Sequence, residues 1–320
     1  MSDYNGLTVL VTGGAGFIGS NLVDALLEAG AKVRVLDNLF SGKQSNLDNA
    51  IGKDRLEFLK GDIFYPDMCQ KACEGVDIVF HEAAFVSVPL SMKNPIVNHQ
   101  SNISGTLFML MAAAEAGAKR FVYASSGSTY GDLPELPKVE TQCRDYPSPY
   151  ALSKGVCEDY ATLFARKEEL GHGMTCVGLR YFNVYGPRQD PKSPYSGVIS
   201  IFADKIFKGE EVTVFGDGEA TRDFVFVGDV VQANMLAGVA QLPQGHHVFN
   251  VGTGETTSIL QLISTLKTIV GNDVPVQFAP ERTGDMKHSV ADITKIKTAL
   301  GYEPKYSLVD GLRSLISSLV

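Results

Sequence analysis

Two side chains four residues apart carry the first chemical signal in this chain of 320 residues. In the stretch PYALSK, Tyr150 and Lys154 fall on one face of any helix that contains both. A phenol titrates near pH 10 when unperturbed and is a poor base at neutral pH, but an adjacent ammonium favours the phenolate. The pair therefore has a chemical use as a proton acceptor, although the same spacing is common in ordinary helix packing. Upstream, YASSGSTYGD at 123–132 gathers the hydroxyls of Ser125, Ser126, Ser128 and Thr129 around Gly127 at an expected strand end. Such a run either forms a hydroxyl-capped turn or presents a hydroxyl to a substrate.

Near the N-terminus, Thr12-Gly13-Gly14-Ala15-Gly16-Phe17-Ile18-Gly19 follows an apolar run, LTVLVTG. Glycines at 13, 16 and 19 permit a tight strand-to-helix turn, with N–H groups of the helix start facing a pyrophosphate. The second apolar run ends in Asp37, 18 residues after Gly19. A carboxylate there accepts from an adenosine ribose and repels the extra phosphate of NADP, so NAD is the expected cofactor. With the positive nicotinamide ring as a second cation, the tyrosine has further reason to ionise. Asp62, in KGDI, is a candidate for the adenine edge or, equally, the N-cap of a helix starting near Pro66.

Positioning these groups requires alternating elements. LTVLVTG, KVRVLD, LEFLKGD, DIVFHEAA, RFVYASS and TCVGLRYF read as apolar strands, separated by helices over 17–29, about 96–117 and from 149. Continuous apolar strands between helices imply an α/β fold, a doubly wound parallel sheet covered on both faces. The expected division is a dinucleotide-binding unit over 1–185 and a smaller substrate region over 186–320, where Pro and Gly clusters break the pattern. Some segments of that second region are expected to return to the main sheet. Helical tracts are expected near 258–270 and 308–318.

TGGAGFIG, Asp37, Tyr150 with Lys154, RYFNVYGPRQ and RDFVFVGDV together resemble the extended short-chain dehydrogenase/reductase family. Within it, the chain is similar to NAD-dependent sugar-nucleotide epimerases of the UDP-glucose 4-epimerase kind, nearly end to end. The resemblance implies bound NAD, a UDP-sugar substrate and transient oxidation at the sugar C4. It implies that Tyr150 exchanges the 4-hydroxyl proton and that Lys154 holds the nicotinamide ribose. A Ser or Thr lies four residues before the tyrosine of a YG pair in this family; with Tyr130 as that tyrosine the position is Ser126, with Ser128 and Thr129 as alternates. Relatives that dehydrate or decarboxylate the sugar carry acids after that hydroxyl, where this chain has Gly127 and Ser128. Without a carboxyl group, elimination lacks its acid and base.

The same resemblance puts Phe17, Ile18, Asn38, Ile63, Ala83 and Ala84 in the cofactor pocket with Gly13, Gly16, Gly19, Asp37 and Asp62, and makes Asn102 a candidate support for the nicotinamide side. It assigns the UDP diphosphate to Arg222, Arg282 and Asn183, the uridine ribose to Asp285, pocket walls to Val198 and Asn250, and a sugar contact to Ser87. For each arginine the alternative is a surface ion pair. Glucose-restricted epimerases place a bulky Tyr where this chain has Ser289. The smaller residue implies room for an N-acetyl group, hence UDP-GlcNAc and UDP-GalNAc beside UDP-glucose and UDP-galactose. A UDP-glucuronate 4-epimerase and a non-catalytic dinucleotide-sensing regulator are the competing readings. Pairing of subunits through the 96–117 and 149–168 helices is expected by analogy, with Leu107, Leu110, Met111 and Ala114 either at that interface or in the core.

Composition sets the remaining bounds. Against 36 Asp and Glu the chain has 28 Lys and Arg, a net charge of −8, which disfavours nucleic acid and anionic membranes as partners. No leader-like segment or membrane-length apolar run is seen, so a cytoplasmic protein is expected. Five cysteines without a CxxC pair and six histidines without HxxxH spacing suggest reduced thiols and no metal.

Overall fold

The structure, a computed structural model, describes residues 4–48, 50, 53–191, 197–281 and 287–319. Its centre is a seven-stranded sheet of β1 (Thr8–Thr12), β2 (Lys32–Asp37), β3 (Leu56–Lys60), β4 (Ile78–His81), β5 (Arg120–Ser126), β6 (Thr175–Tyr181) and β7 (His246–Val251). The strand order is β3-β2-β1-β4-β5-β6-β7, and every pairing is parallel. The doubly wound arrangement expected from the alternating pattern is the one observed.

Alternation along each strand divides the core between two faces. Val9 and Val11 pack with Leu22, Leu26, Val230 and Ala233, beneath the Phe17–Glu28 and Val227–Val239 helices. Leu10 and Val79 pack with Cys69, Met109, Leu110, Cys157 and Phe164 on the opposite face, beneath the Pro66–Cys73, Gly105–Glu115 and Pro149–Arg166 helices. Because both faces are covered, β4 and β6 are buried along their whole length.

The chain after Gly186 does two things. HHVFNV returns to the main sheet as β7, and the Val227–Val239 helix covers it. A third apolar cluster, including Ile199, Phe202, Leu262 and Leu312, organises the rest. Around that cluster Asn183–Tyr185 pairs with Phe224–Phe226, Val212–Phe215 with Val276–Ala279, and Thr221–Arg222 with both Thr257–Ser258 and His288–Ser289. The Ile259–Val270 and Leu308–Ser317 helices lie where periodicity predicts them.

One expected element is broken. The tract at 96–117 is not one α-helix but Pro95–Asn98, a π-helical turn at His99–Ser104, and Gly105–Glu115. Asn102 in that turn donates to Asn98 Oδ1 (3.0 Å), Phe85 O (3.1 Å) and Ser153 Oγ (2.9 Å), and accepts from Phe85 N (2.7 Å). These bonds tie the loop after β4 to the Pro149–Arg166 helix. Leu110 and Ala114 are core residues, whereas Met111 is exposed.

Five described cysteines are free thiols, Cys143 exposed and the others buried, with burial first among the causes that push Cys69, Cys73 and Cys176 up to about 12. Among the described residues there is no cluster able to hold a metal and no helix long and apolar enough to cross a membrane.

A buried ion pair locks the Pro149–Arg166 helix to the sheet. Arg180 on β6 donates through Nε and a terminal nitrogen to Glu158 Oε1 (2.8 Å) and Oε2 (2.7 Å), and Ser125 Oγ adds a third donor at 2.6 Å. Burial opposes ionisation of Glu158, but Arg180, Ser125 and Arg144 outweigh it and hold its pKa below the usual carboxylate range. A depressed pKa means stability that is present above the unfolded-state value and lost as pH falls through the folded one. Glu158→Ala strands a buried guanidinium and is expected to cost about 3–5 kcal/mol in urea denaturation. The variant should also lose part of the acid-side decline in stability seen in the parent.

Candidate active site

The C-terminal ends of β1, β2, β4, β5 and β6 open into a cavity of about 560 Å³. At its centre Gly13 adopts φ +69°, and a Cβ there would come within 2.8 Å of the Ala83 backbone. At Gly19 a Cβ would collide with Gly13 O, so both positions need glycine for the turn to pack against the helix. Gly16 differs: a Cβ would meet only Gly13 O, at 3.1 Å, and the rest of its surroundings is the open cavity. It caps the Phe17–Glu28 helix without a side chain, so the first-turn N–H groups remain available to an anion. This bare backbone cradle fits a pyrophosphate.

One arm of the cavity ends at Asp37. Its carboxylate accepts from Ala15 N (3.0 Å) and Leu39 N (2.7 Å), fixing the loop geometry. Burial raises its pKa, while the two N–H bonds counter that effect. Asp62 accepts from Asn38 Nδ2 (2.7 Å) and Phe64 N (2.9 Å). It is not the helix N-cap, since Tyr65 holds that position. Asn38, Ile63, Ala83, Ala84, Phe17 and Ile18 line the same cavity.

The other arm holds the reacting groups. Ser148 caps the Pro149–Arg166 helix by accepting from Ala151 N (3.2 Å), with Pro149 in the first turn, so Tyr150 sits at the helix start. One turn later Lys154 is only 5% exposed; its Nζ donates to Ala124 O (2.7 Å) and lies 6.0 Å from the Tyr150 ring centroid. Tyr150, Lys154 and Ser126 line the same cavity. Ser126 Oγ accepts from Ser128 N (3.1 Å), which orients its hydroxyl.

The three hydroxyls left open by the sequence are thereby separated. Ser126 faces the cavity, Thr129 donates to Ser126 O (2.9 Å), and Ser128 Oγ is buried without a partner and lines neither this cavity nor the next. The turn at Gly127–Tyr130 rotates Ser128 away from the face that Ser126 presents.

A second cavity, of about 610 Å³, adjoins the first through Asn183, which lines both. Val198, Phe202, Lys205, Phe215, Arg222 and Lys287 are among its walls. Arg222 donates to Thr221 O (2.9 Å) and Lys287 O (3.1 Å), which orients the guanidinium at the rim. Arg282 and Asp285 lie outside the described residues.

Four other expected site residues stand elsewhere. Ser87 is the N-cap of Val88–Lys93, accepting from Leu90 N (3.2 Å), and it lines neither cavity. Asn250 is fully buried, accepting from Tyr130 OH (2.6 Å) and donating to Lys138 O (2.8 Å), so it braces β7 rather than forming a pocket wall. Asn102 is likewise buried and acts behind the cavity through Phe85 and Ser153. Ser289 is 6% exposed on a strand beside Arg222 and lines neither cavity. In each case the polar side chain is consumed or covered by local packing, which spacing alone does not reveal.

Sequence reasoning missed other lining residues. Lys43 pairs with Asp190 (2.7 Å) and Arg188 with Asp24 (2.6 Å), drawing the 187–190 segment across the cofactor arm. Arg188 was visible in GPRQ, but its left-handed backbone, φ +71°, was not. Glu82, in HEAA, also reaches the cavity.

A parallel sheet with a glycine cradle at its strand ends, an acid at the end of β2 and a tyrosine–lysine pair in the same cavity defines a dinucleotide-dependent α/β enzyme. The model of the NAD dependent epimerase/dehydratase family matches residues 9–252. The UDP-glucose 4-epimerase of Mycolicibacterium smegmatis is 39% identical over 312 residues, 97% of each chain. A solved UDP-N-acetylglucosamine 4-epimerase from Methanobrevibacter ruminantium, in complex with UDP-N-acetylmuramic acid, has a TM-score of 0.92 at 38% identity, covering 100% of this chain and 99% of that one. A UDP-glucose 4-epimerase from Thermotoga maritima with UDP-glucose gives 0.91 at 42% identity, with 98% of each covered. The chain belongs to the NAD-dependent epimerase/dehydratase family, and NAD is its cofactor.

Proposed function

We propose that this enzyme, a UDP-sugar 4-epimerase, acts on UDP-hexoses with and without a 2-acetamido group, interconverting UDP-GlcNAc with UDP-GalNAc and UDP-glucose with UDP-galactose. The observation that carries the epimerase reading is the presence of Tyr150, Lys154 and Ser126 in the cavity that holds the glycine cradle. NAD, when bound, supplies a reversible acceptor for the hydrogen at the sugar C4. Tyr150 takes the 4-hydroxyl proton and later returns it, with the buried Lys154 ammonium 6.0 Å from its ring centroid. Ser126 holds the 4-oxygen in line with the phenol. Arg222 in the second cavity and Asn183 at its junction with the first hold the diphosphate while the 4-keto sugar turns to offer its other face. Gly127 and Ser128 present no carboxyl group where elimination would need one.

Breadth toward the acetamido sugars rests on likeness both to an acetamido-sugar epimerase and to a UDP-glucose 4-epimerase. The exposed apolar residues Ile96, Met111, Leu152 and Leu163, on the helices at 95–115 and 149–166, support a homodimer formed through that face.

Three outcomes test these statements. Tyr150→Phe should lower turnover about a thousandfold while the purified protein still carries NAD; retained turnover would remove Tyr150 from the chemistry, and a dinucleotide sensor would be indifferent to the change. In steady-state kinetics the acetamido pair should match the plain hexoses in kcat/KM. Efficiency far below the plain pair, or turnover of UDP-glucuronate above both, would overturn the assignment. Sedimentation should give twice the chain mass, reduced to the single-chain value by Leu163→Glu.

A further inference from the structure

Glu82 is a cavity-lining acid that the proton transfers above do not use. It follows the last residue of β4, with its backbone N donating to Thr12 O at 3.1 Å. The adjacent Ala83 is the residue against which Gly13 packs, so Glu82 stands beside the glycine cradle. On its other side Tyr181, at the end of β6, donates to Glu82 Oε1 (2.8 Å) and accepts from Asn234 Nδ2 (2.7 Å) on the Val227–Val239 helix. Lys154 is close enough to act on Glu82 through its charge. The carboxyl group is therefore fixed against Tyr181, and Glu82 lines the same cavity as the cradle, Tyr150 and Lys154.

The charges in this arm give such a carboxylate a use. Lys154 contributes one positive charge, and oxidised NAD brings a second on its ring, while Tyr150 in its working form offers one negative charge. Passage of hydride to the ring would remove the second positive charge, and the proton taken up by Tyr150 would remove its negative charge, leaving Lys154 as the one remaining charge of the three. An acid held by a neutral Tyr–Asn pair, rather than by a dedicated cation, keeps its negative charge available to whatever enters the cavity. We propose that the Glu82 carboxylate is the electrostatic partner of the oxidised nicotinamide ring and biases the enzyme toward NAD over NADH. The bias keeps the resting enzyme in the form that can accept hydrogen from a sugar. It rests on the cofactor alone and not on which sugar is turned over.

The neighbours allow the bias to be switched by pH. Burial pushes Glu82 up to about 7, while the Tyr181 hydrogen bond and Lys154 pull it down. His81, one residue away, is held neutral because burial, followed by Lys154, lowers it to about 3. Tyr181 is raised well above the ordinary phenol value, by burial first and then by Glu82, and stays neutral. Tyr150 and Lys154 line the same cavity, as do the charged groups Asp37, Asp62, Lys43, Arg188 and Asp190.

The test is a partition experiment on the full chain. Purified protein is incubated with a fixed excess mixture of NAD and NADH until exchange is complete, then denatured, and the released nucleotides are quantified by chromatography. Above pH 7 the parent should be enriched in NAD relative to the mixture, and Glu82→Gln should reduce that enrichment about tenfold. As pH falls through about 7 the parent's enrichment should fall toward that of the variant. Tyr181→Phe keeps the carboxylate but removes a bond that holds its pKa down, so it should retain the enrichment at high pH and shift the midpoint upward. Equal partition by parent and Glu82→Gln, equal weakening of both nucleotides, or a pH slope that survives Glu82→Gln would each overturn the proposal. Should Glu82→Gln fail to fold, an unshifted midpoint in Tyr181→Phe overturns it instead.

Discussion

The site is built around a charge that the fold has taken out of water. Lys154 is buried, and its ammonium is held by the Ala124 carbonyl near the end of β5. Removing an ammonium from water is costly unless its hydrogens are satisfied, so this contact constrains how the Pro149–Arg166 helix sits on the sheet. Tyr150, one turn earlier on that helix, is thereby placed above the same strand end as Ser126. A buried charge pair one turn further on, Glu158 with Arg180, repeats the constraint. The helix is pinned at two successive turns, which fixes its rotation as well as its position.

The parallel sheet makes that pinning useful. Strand order reverses between β1 and β4, and chain connections leaving these strands in opposite directions open a crevice at their C-terminal ends. The glycine cradle enters the crevice from β1, Glu82 and Ala83 from β4, Ser126 from β5 and Tyr181 from β6. Residues far apart in sequence meet there because every strand ends at the same level. The later part of the chain adds the second cavity on its own apolar cluster, and Asn183 joins the two.

Strands β1 to β6 were legible because runs such as VLVT and IVFH are apolar throughout, as a doubly covered sheet requires. The cofactor arm was legible for a different reason: tight turns and bare backbone leave glycines at fixed spacing, and a ribose-facing acid must end the second strand. The interruption at His99–Ser104 was not legible, since Asn98 and Asn102 are ordinary helix-surface residues until Phe85 and Ser153 come into reach. Ser87, Asn250 and Ser289 illustrate the same limit. Small polar residues near a site satisfy backbone groups as readily as they meet a ligand, and only packing distinguishes the two.

Local backbone chemistry and short-range spacing were therefore settled by the order of residues: the turn at Gly13, the helix start at Ser148, the shared face of Tyr150 and Lys154. Tertiary structure decided which hydroxyl of the SSGST run faces the cavity, where Glu82 points, and how the 187–190 segment is latched by Lys43 and Asp24. The reason is physical. Periodicity follows from bond geometry within a few residues, whereas the burial, charge and partner of a side chain depend on elements that arrive from distant parts of the chain.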